Sequence, residues 1–268
     1  MAKKKPETKV DDTTKNDMPE GYTELTPEAL AELVGGNGGG MQTVMSIGLA
    51  ERLWIEDRQD RILYLDDYVD DDILHTLITQ IAKMNGEDFG IPVEDRVPIT
   101  LVINCGGGAS VIGMSLVNVI QNSKTPIIGV CFGLCASMAF AIFAVCHMRL
   151  ATADSVFMVH DGIIAIQDNI TKAKDYMRFM PKLDERYNRA IAARTKFTTK
   201  QLDEISPHDN WFFADELVEM DMVDGIIGKD IELGEIFSFM SDVSCECDDE
   251  CECHKKRGEA SWQKAKKR

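Results

Sequence analysis

Ser137, His160 and Asp209 are the residue types that nucleophilic acyl transfer needs. A serine oxygen attacks a carbonyl, an imidazole takes its proton, and a carboxylate holds the imidazole tautomer and stabilises the imidazolium. Each alone has an ordinary explanation. A serine in an apolar helix bonds back to a carbonyl one turn earlier, a histidine ending an apolar strand is a satisfied structural residue, and an aspartate in a loop such as Pro207-His-Asp-Asn-Trp211 makes a turn. Ser137 is the least ordinary of the three. It stands in the first turn of a helical stretch, 136–146, built otherwise from Ala, Met, Phe, Ile, Val and Cys. Backbone N–H groups are free there and the helix dipole is positive, so a developing oxyanion would be stabilised. Its setting, Leu134-Cys-Ala-Ser-Met138, is not the G-x-S-x-G elbow of α/β-hydrolases.

A second candidate is the run Gly106-Gly107-Gly108 after an apolar segment. Such a loop turns sharply and leaves its N–H groups uncovered, which suits a phosphate or an oxyanion. The phosphate reading fails in detail. No G-x-x-x-x-G-K-[ST] is present, and Val111 stands where G-x-G-x-x-G requires Gly or Ala.

Alternating strands and helices would position these residues. Segments 61–65, 97–103, 127–131, 155–159 and 223–227 read as strands. Apolar residues three or four apart predict amphipathic helices over 70–84 and 170–195, with a further helix at 109–121. Pro181 is expected to kink or split the long one, and that helix is expected to expose Tyr176, Met177, Met180 and Leu183, too apolar to face water for long. Stretch 136–146 is apolar all round and so buried on all sides. Shorter helices are expected near 199–205 and 214–220. Repeated β–α units indicate an α/β domain with parallel strands.

With 44% hydrophobic and 28% charged residues, the 268-residue chain can bury a sizeable core without staples. Lys plus Arg is 29 against 45 Asp plus Glu, a net charge of −16, which repels nucleic-acid backbones. No apolar run approaches the roughly 18 residues of a spanning helix, so no membrane partner is expected. The basic start, Met1-Ala-Lys-Lys-Lys-Pro, has no apolar stretch behind it and does not read as a secretory signal. Cys105, Cys131, Cys135 and Cys146 sit in apolar segments, which suits a reducing cytoplasm. Three parts are therefore expected: a polar, mobile arm over 1–40, with a short helix at 26–34; a globular body over 41–240; and a tail over 241–268. The tail carries Cys245, Cys247, Cys251, Cys253 and His254, five soft ligands of which zinc would take four. Their spacing is not a paired C-x-x-C, so a thiol-rich segment that picks up metal adventitiously is the competing reading.

The body resembles the proteolytic-subunit family of the ATP-dependent Clp protease, a family of serine peptidases. The family's "I-N-S-P-G-G" is similar to Ile103-Asn-Cys-Gly-Gly-Gly108, and its "G-x-x-A-S-M-G" to Gly133-Leu-Cys-Ala-Ser-Met-Ala139. Its "M-I-H" is similar to Met158-Val-His160, its "R-D-x-F/W" to His208-Asp-Asn-Trp211, and its "G-L-V-D" to Asp221-Met-Val-Asp224. The chain departs from the family at Gly106, where a Pro is usual, at Asp161-Gly162 in place of Gln-Pro, at Pro181, and at Pro207-His208 in place of Asp-Arg.

The resemblance implies a crotonase-like α/β fold of repeated ββα units, with helix 170–195 as a protruding handle. It implies Ser137 as nucleophile, His160 as base and Asp209 as orienting acid, and the N–H groups of Gly108 and Met138 as oxyanion hole. It also implies a heptameric ring, single or stacked in two, enclosing the sites, with unfolded polypeptides fed in by AAA+ unfoldases and no cofactor needed for hydrolysis. Three rivals share the fold: a self-contained phage-type processing protease, a crotonase-type acyl-CoA enzyme, and a ring subunit without activity. The complete Ser-His-Asp set argues against the last two.

Overall fold

The computed structural model describes residues 49–238 apart from residue 164. The expected arm over 1–40 and the tail over 241–268, with Cys245, Cys247, Cys251, Cys253 and His254, lie outside the described residues.

The chain enters through helix α1 (Leu49–Gln59) and strand β1 (Ile62–Leu65). A π-helical turn (Leu74–Ile78) leads into α2 (Thr79–Glu87), whose inward residues are Leu77, Ile81 and Met84. Then follow β2 (Ile99–Cys105), α3 (Ser110–Asn122), β3 (Ile127–Ala136), α4 (Met138–Ala144), β4 (Met148–Thr152) and β5 (Val156–Val159). The second half adds α5 (Ile170–Ala192), α6 (Thr199–Ile205), β6 (Asn210–Phe213), β7 (Gly225–Ile227) and α7 (Glu235–Ser238). The seven strands form one sheet in the order β1-β2-β3-β4-β7, with β5 joined to β3 and β6 joined to β5. Every pairing is parallel except β5–β6. This is the mostly parallel α/β architecture expected of the crotonase-like fold.

The ten-residue β3 organises the sheet because it changes partner midway. Its first half, Ile128 to Cys131, pairs with β4, and its last residues, Leu134 to Ala136, pair with β5. Ser155 Oγ donates to the Cys131 carbonyl at the fork, at 3.0 Å, and so satisfies a group the ladder leaves open. Helix α4 has every residue buried, as its all-round apolar sequence predicts. Phe140 and Phe143 pack on Phe157 with ring centroids 6.3 and 5.2 Å away. Two ion pairs anchor the periphery: Arg61 grips buried Asp88 through two bonds of 2.7 Å, and Arg149 holds Asp224 at 2.6 Å.

The structure corrects four expectations. Helix α4 starts after Ser137, because β3 continues to Ala136 and the serine itself is the corner between them. Pro181 does not split α5, which runs 23 residues through it. The carbonyl deprived of a partner belongs to Met177, which is 52% exposed, so water can take the place of the missing N–H. Of the four apolar residues expected to be exposed on that helix, Tyr176 and Met177 are, whereas Met180 and Leu183 are buried against the body. Segment 214–220 is a chain of turns rather than a helix. Its bonds run from Leu217 N–H to the Ala214 carbonyl and from Met222 N–H to the Leu217 carbonyl, which tucks all three side chains into the core. Strands β4 and β6 were not anticipated from the sequence.

Candidate active site

Strand register assembles the site. In the parallel β3–β5 pair, Ala136 lies opposite Met158, which sets the residue after β3 level with Val159 and one position short of the residue after β5, at the same sheet end. These are Ser137 and His160. In the antiparallel β5–β6 pair, Val159 lies opposite Asn210, so the next position out sets His160 beside Asp209. The side chains meet accordingly. His160 Nε2 is 2.9 Å from Ser137 Oγ, and His160 Nδ1 is 3.0 Å from Asp209 Oδ1. All three residues singled out in the sequence are thus joined in one hydrogen-bonded chain. The imidazole is mostly covered, at 18% exposure, whereas the Asp209 side chain is 60% exposed.

Ser137 occupies a strained backbone state, φ 54° and ψ −120°, costing of order 1–3 kcal/mol for a residue other than glycine. The sequence lacks the glycines usual around a nucleophile elbow, yet the strand–serine–helix corner has that shape. Three bonds hold it there. Ser137 N–H donates to the Met158 carbonyl at 2.8 Å, Phe140 N–H donates to the Ser137 carbonyl at 3.0 Å, and Tyr187 Oη–H donates to that same carbonyl at 2.8 Å. Burial pushes the Tyr187 phenol well above its ordinary range, with the Cys135 thiol and the Asp184 carboxylate adding to the effect, so the hydroxyl stays a donor at any physiological pH. Tyr187 was not identified from the sequence. The helix itself was expected, but Met180 and Leu183 were read as exposed, so the face that carries Tyr187 to the corner was not legible.

The glycine loop packs on the same corner. Gly107 has φ +102°, and a Cβ there would fall 2.7 Å from the Ser137 Cβ and 3.0 Å from the Met138 nitrogen. Gly108 lies against Val69, where a Cβ would meet the Val69 carbonyl oxygen at 2.4 Å. Val69 bonds to the residues flanking Gly108, donating to the Gly107 carbonyl at 2.9 Å and accepting from Ala109 N–H at 2.7 Å. In a parallel bridge of this kind the N–H of Gly108 faces the other way. Neither Gly108 N–H nor Met138 N–H donates a hydrogen bond to another described residue.

A cleft of about 180 Å³ opens beside the Ser137–His160 pair, walled by Met114, Met138, Leu183 and Tyr187 and edged by carboxylates. One of them, Asp184, has its carboxyl raised above the ordinary value by burial and then by the neighbouring charge of Asp161. The four cysteines of the body are buried free thiols. Burial pushes Cys131 up to about 11 and Cys146 to about 12, so they are protonated and inert at neutral pH. Among the described residues no group of three or more His, Cys, Asp or Glu side chains is placed to hold a metal ion. No helix among them is long and apolar enough to cross a membrane.

A family model described as Clp protease matches residues 52–230. That span runs from α1 to the residues just past β7, and so takes in the whole sheet and every residue of the hydrogen-bonded chain. Two thirds of the sequence falls within it, and the chain belongs to the Clp protease family.

Proposed function

We propose that the protein is a serine endopeptidase of Clp type that cleaves unfolded polypeptides through an acyl-enzyme. The observation that carries this is the unbroken chain from Asp209 through His160 to Ser137 Oγ. His160 Nε2 takes the hydroxyl proton as Oγ bonds to the substrate carbonyl carbon. Asp209 accepts from Nδ1–H, fixes the tautomer, and stabilises the imidazolium that forms. The carbonyl oxygen, now negative, accepts from the free N–H groups of Gly108 and Met138, the second at the start of α4. The C–N bond then breaks, the imidazolium gives its proton to the leaving amine, and a water activated by the same imidazole hydrolyses the ester. The hydrolysis needs no cofactor.

Membership of the family supports assembly into a ring of seven, single or in a stacked pair, served by an AAA+ unfoldase. Exposed Tyr176, Met177 and Phe179 on α5 and Leu53, Trp54 and Ile55 on α1 are apolar faces of the kind that subunit contacts cover. The test of the chemistry is labelling by a fluorophosphonate. Label on Ser137, lost in His160→Ala, is the expected result, and an unlabelled wild-type protein with no peptidase activity overturns it. The mass of the native assembly tests the ring.

A further inference from the structure

We propose that the cleft beside Ser137 selects a long cationic side chain, lysine or arginine, at the residue whose carbonyl is attacked, and that Asp161 and Asp184 set this preference. The inference rests on the peptidase reading above and names its substrate class. Ser137 and Met138 form part of the cleft wall, so the side chain closest to the attacked carbonyl is the one that enters it. The volume, about 180 Å³, is on the scale of one side chain.

The lining is amphipathic. Met114, Met138, Leu183 and the ring of Tyr187 supply apolar wall, while three aspartates and no lysine or arginine supply the charge. One of the three, Asp203, is already engaged, accepting from buried Asn188 Nδ2 at 2.7 Å. The side chains of Asp161 and Asp184 have no hydrogen bond or ion pair with another described residue. Asp184 is held above its ordinary value by burial and then by the charge of Asp161. An aliphatic stem fits against the apolar wall, and a cationic head at the two carboxylates supplies the counter-charge that the cleft lacks. Both aspartates are exposed at the rim of the cleft, so an apolar guest leaves them without a counter-charge and an acidic guest adds a third like charge.

The test uses the full chain and fluorogenic peptides that differ only at that residue, as Lys, Arg, Leu or Glu. Lys and Arg are expected to exceed Leu about tenfold in kcat/KM, with Glu slowest. The double variant Asp161→Asn with Asp184→Asn is expected to lower the Lys-to-Leu ratio about tenfold. Labelling of Ser137 in the variants reports that the nucleophile is still assembled. The single Asp184→Asn, a smaller perturbation, is expected to lower the ratio about threefold, and Asp184→Glu to retain it. A wild-type preference for Leu over Lys, or an unchanged ratio in labelled variants, overturns the proposal and leaves the peptidase reading standing. Absence of any hydrolysis that Ser137→Ala abolishes, together with absence of labelling, overturns the peptidase reading itself.

Discussion

The two ends of the hydrogen-bonded chain are built differently. At the Ser137 end, a strained corner is held by three bonds from three elements, packed by a glycine that no other residue could replace, and backed by the buried helix α4. At the Asp209 end, one carboxylate oxygen reaches the imidazole from the start of a four-residue strand, and more than half of that side chain is in water. Charge in water is screened and a hydration shell can partly stand in for it, whereas a misplaced nucleophile has no substitute. The difference teaches that the structure fixes the Ser137 hydroxyl and leaves the Asp209 carboxylate adaptable, a division that suits the proposed nucleophile and orienting acid.

The comparison breaks most completely at the nucleophile. Ser137→Ala is expected to lower peptide turnover by about 10⁶-fold with assembly unchanged by native mass. Near-normal turnover would remove the serine mechanism altogether. Next comes Gly107→Ala, whose methyl group must displace Ser137 or Met138 from a conformation that already disfavours side chains. We expect a loss of roughly 10³-fold in the rate of fluorophosphonate labelling, together with a lower Tm. Full labelling at the wild-type rate would mean that the corner is less rigid than its packing implies.

Asp209→Asn sharpens the contrast from the other end. In closed triads the same change costs about 10⁴-fold, and the exposure of Asp209 leads us to expect about 10²-fold in kcat at neutral pH. A loss as large as that of Ser137→Ala would show that the acid end is as tightly determined as the nucleophile end. Tyr187→Phe deletes a single oxygen from the Ser137 clamp. It is expected to reduce kcat about tenfold with KM little changed, and to slow labelling in proportion, since one hydrogen bond is worth roughly 1 kcal/mol. A change confined to thermal stability would make Tyr187 a packing residue only. Smallest of all, removing residues 241–268 is expected to leave peptide hydrolysis within about twofold, because the chain of Asp209, His160 and Ser137 lies wholly before them. Metal analysis of protein purified without chelator is expected to find zinc in the full chain and none in the truncated one, since thiolates at this density bind it readily. Loss of activity on truncation, restored in chelated full-length protein by added zinc, would make the tail part of the catalytic unit.

The sequence by itself determined the candidate residues and most of the order of the elements, β4 and β6 excepted. Ser137, His160 and Asp209 were recognisable by type, by placement at the edges of apolar segments, and by the resemblance of the motifs around them. The buried helix after Ser137 was legible because nothing in it could face water, and the long helix 170–195 because its apolar stripe repeats at helical spacing. What only the tertiary structure decided depends on pairing between distant segments. Register is a property of two strands together, so neither β3 nor β5 alone states that Ala136 will face Met158, or that His160 will fall beside Asp209. For the same reason β6, whose start falls in the segment Pro207-His-Asp-Asn-Trp211 that reads as a loop, became visible only once it had β5 to pair with. Tyr187 stands fifty positions from Ser137 and Asp184 lies on another element from Asp161. No local pattern carries such contacts, because they exist only when helix α5 is laid across the end of the sheet.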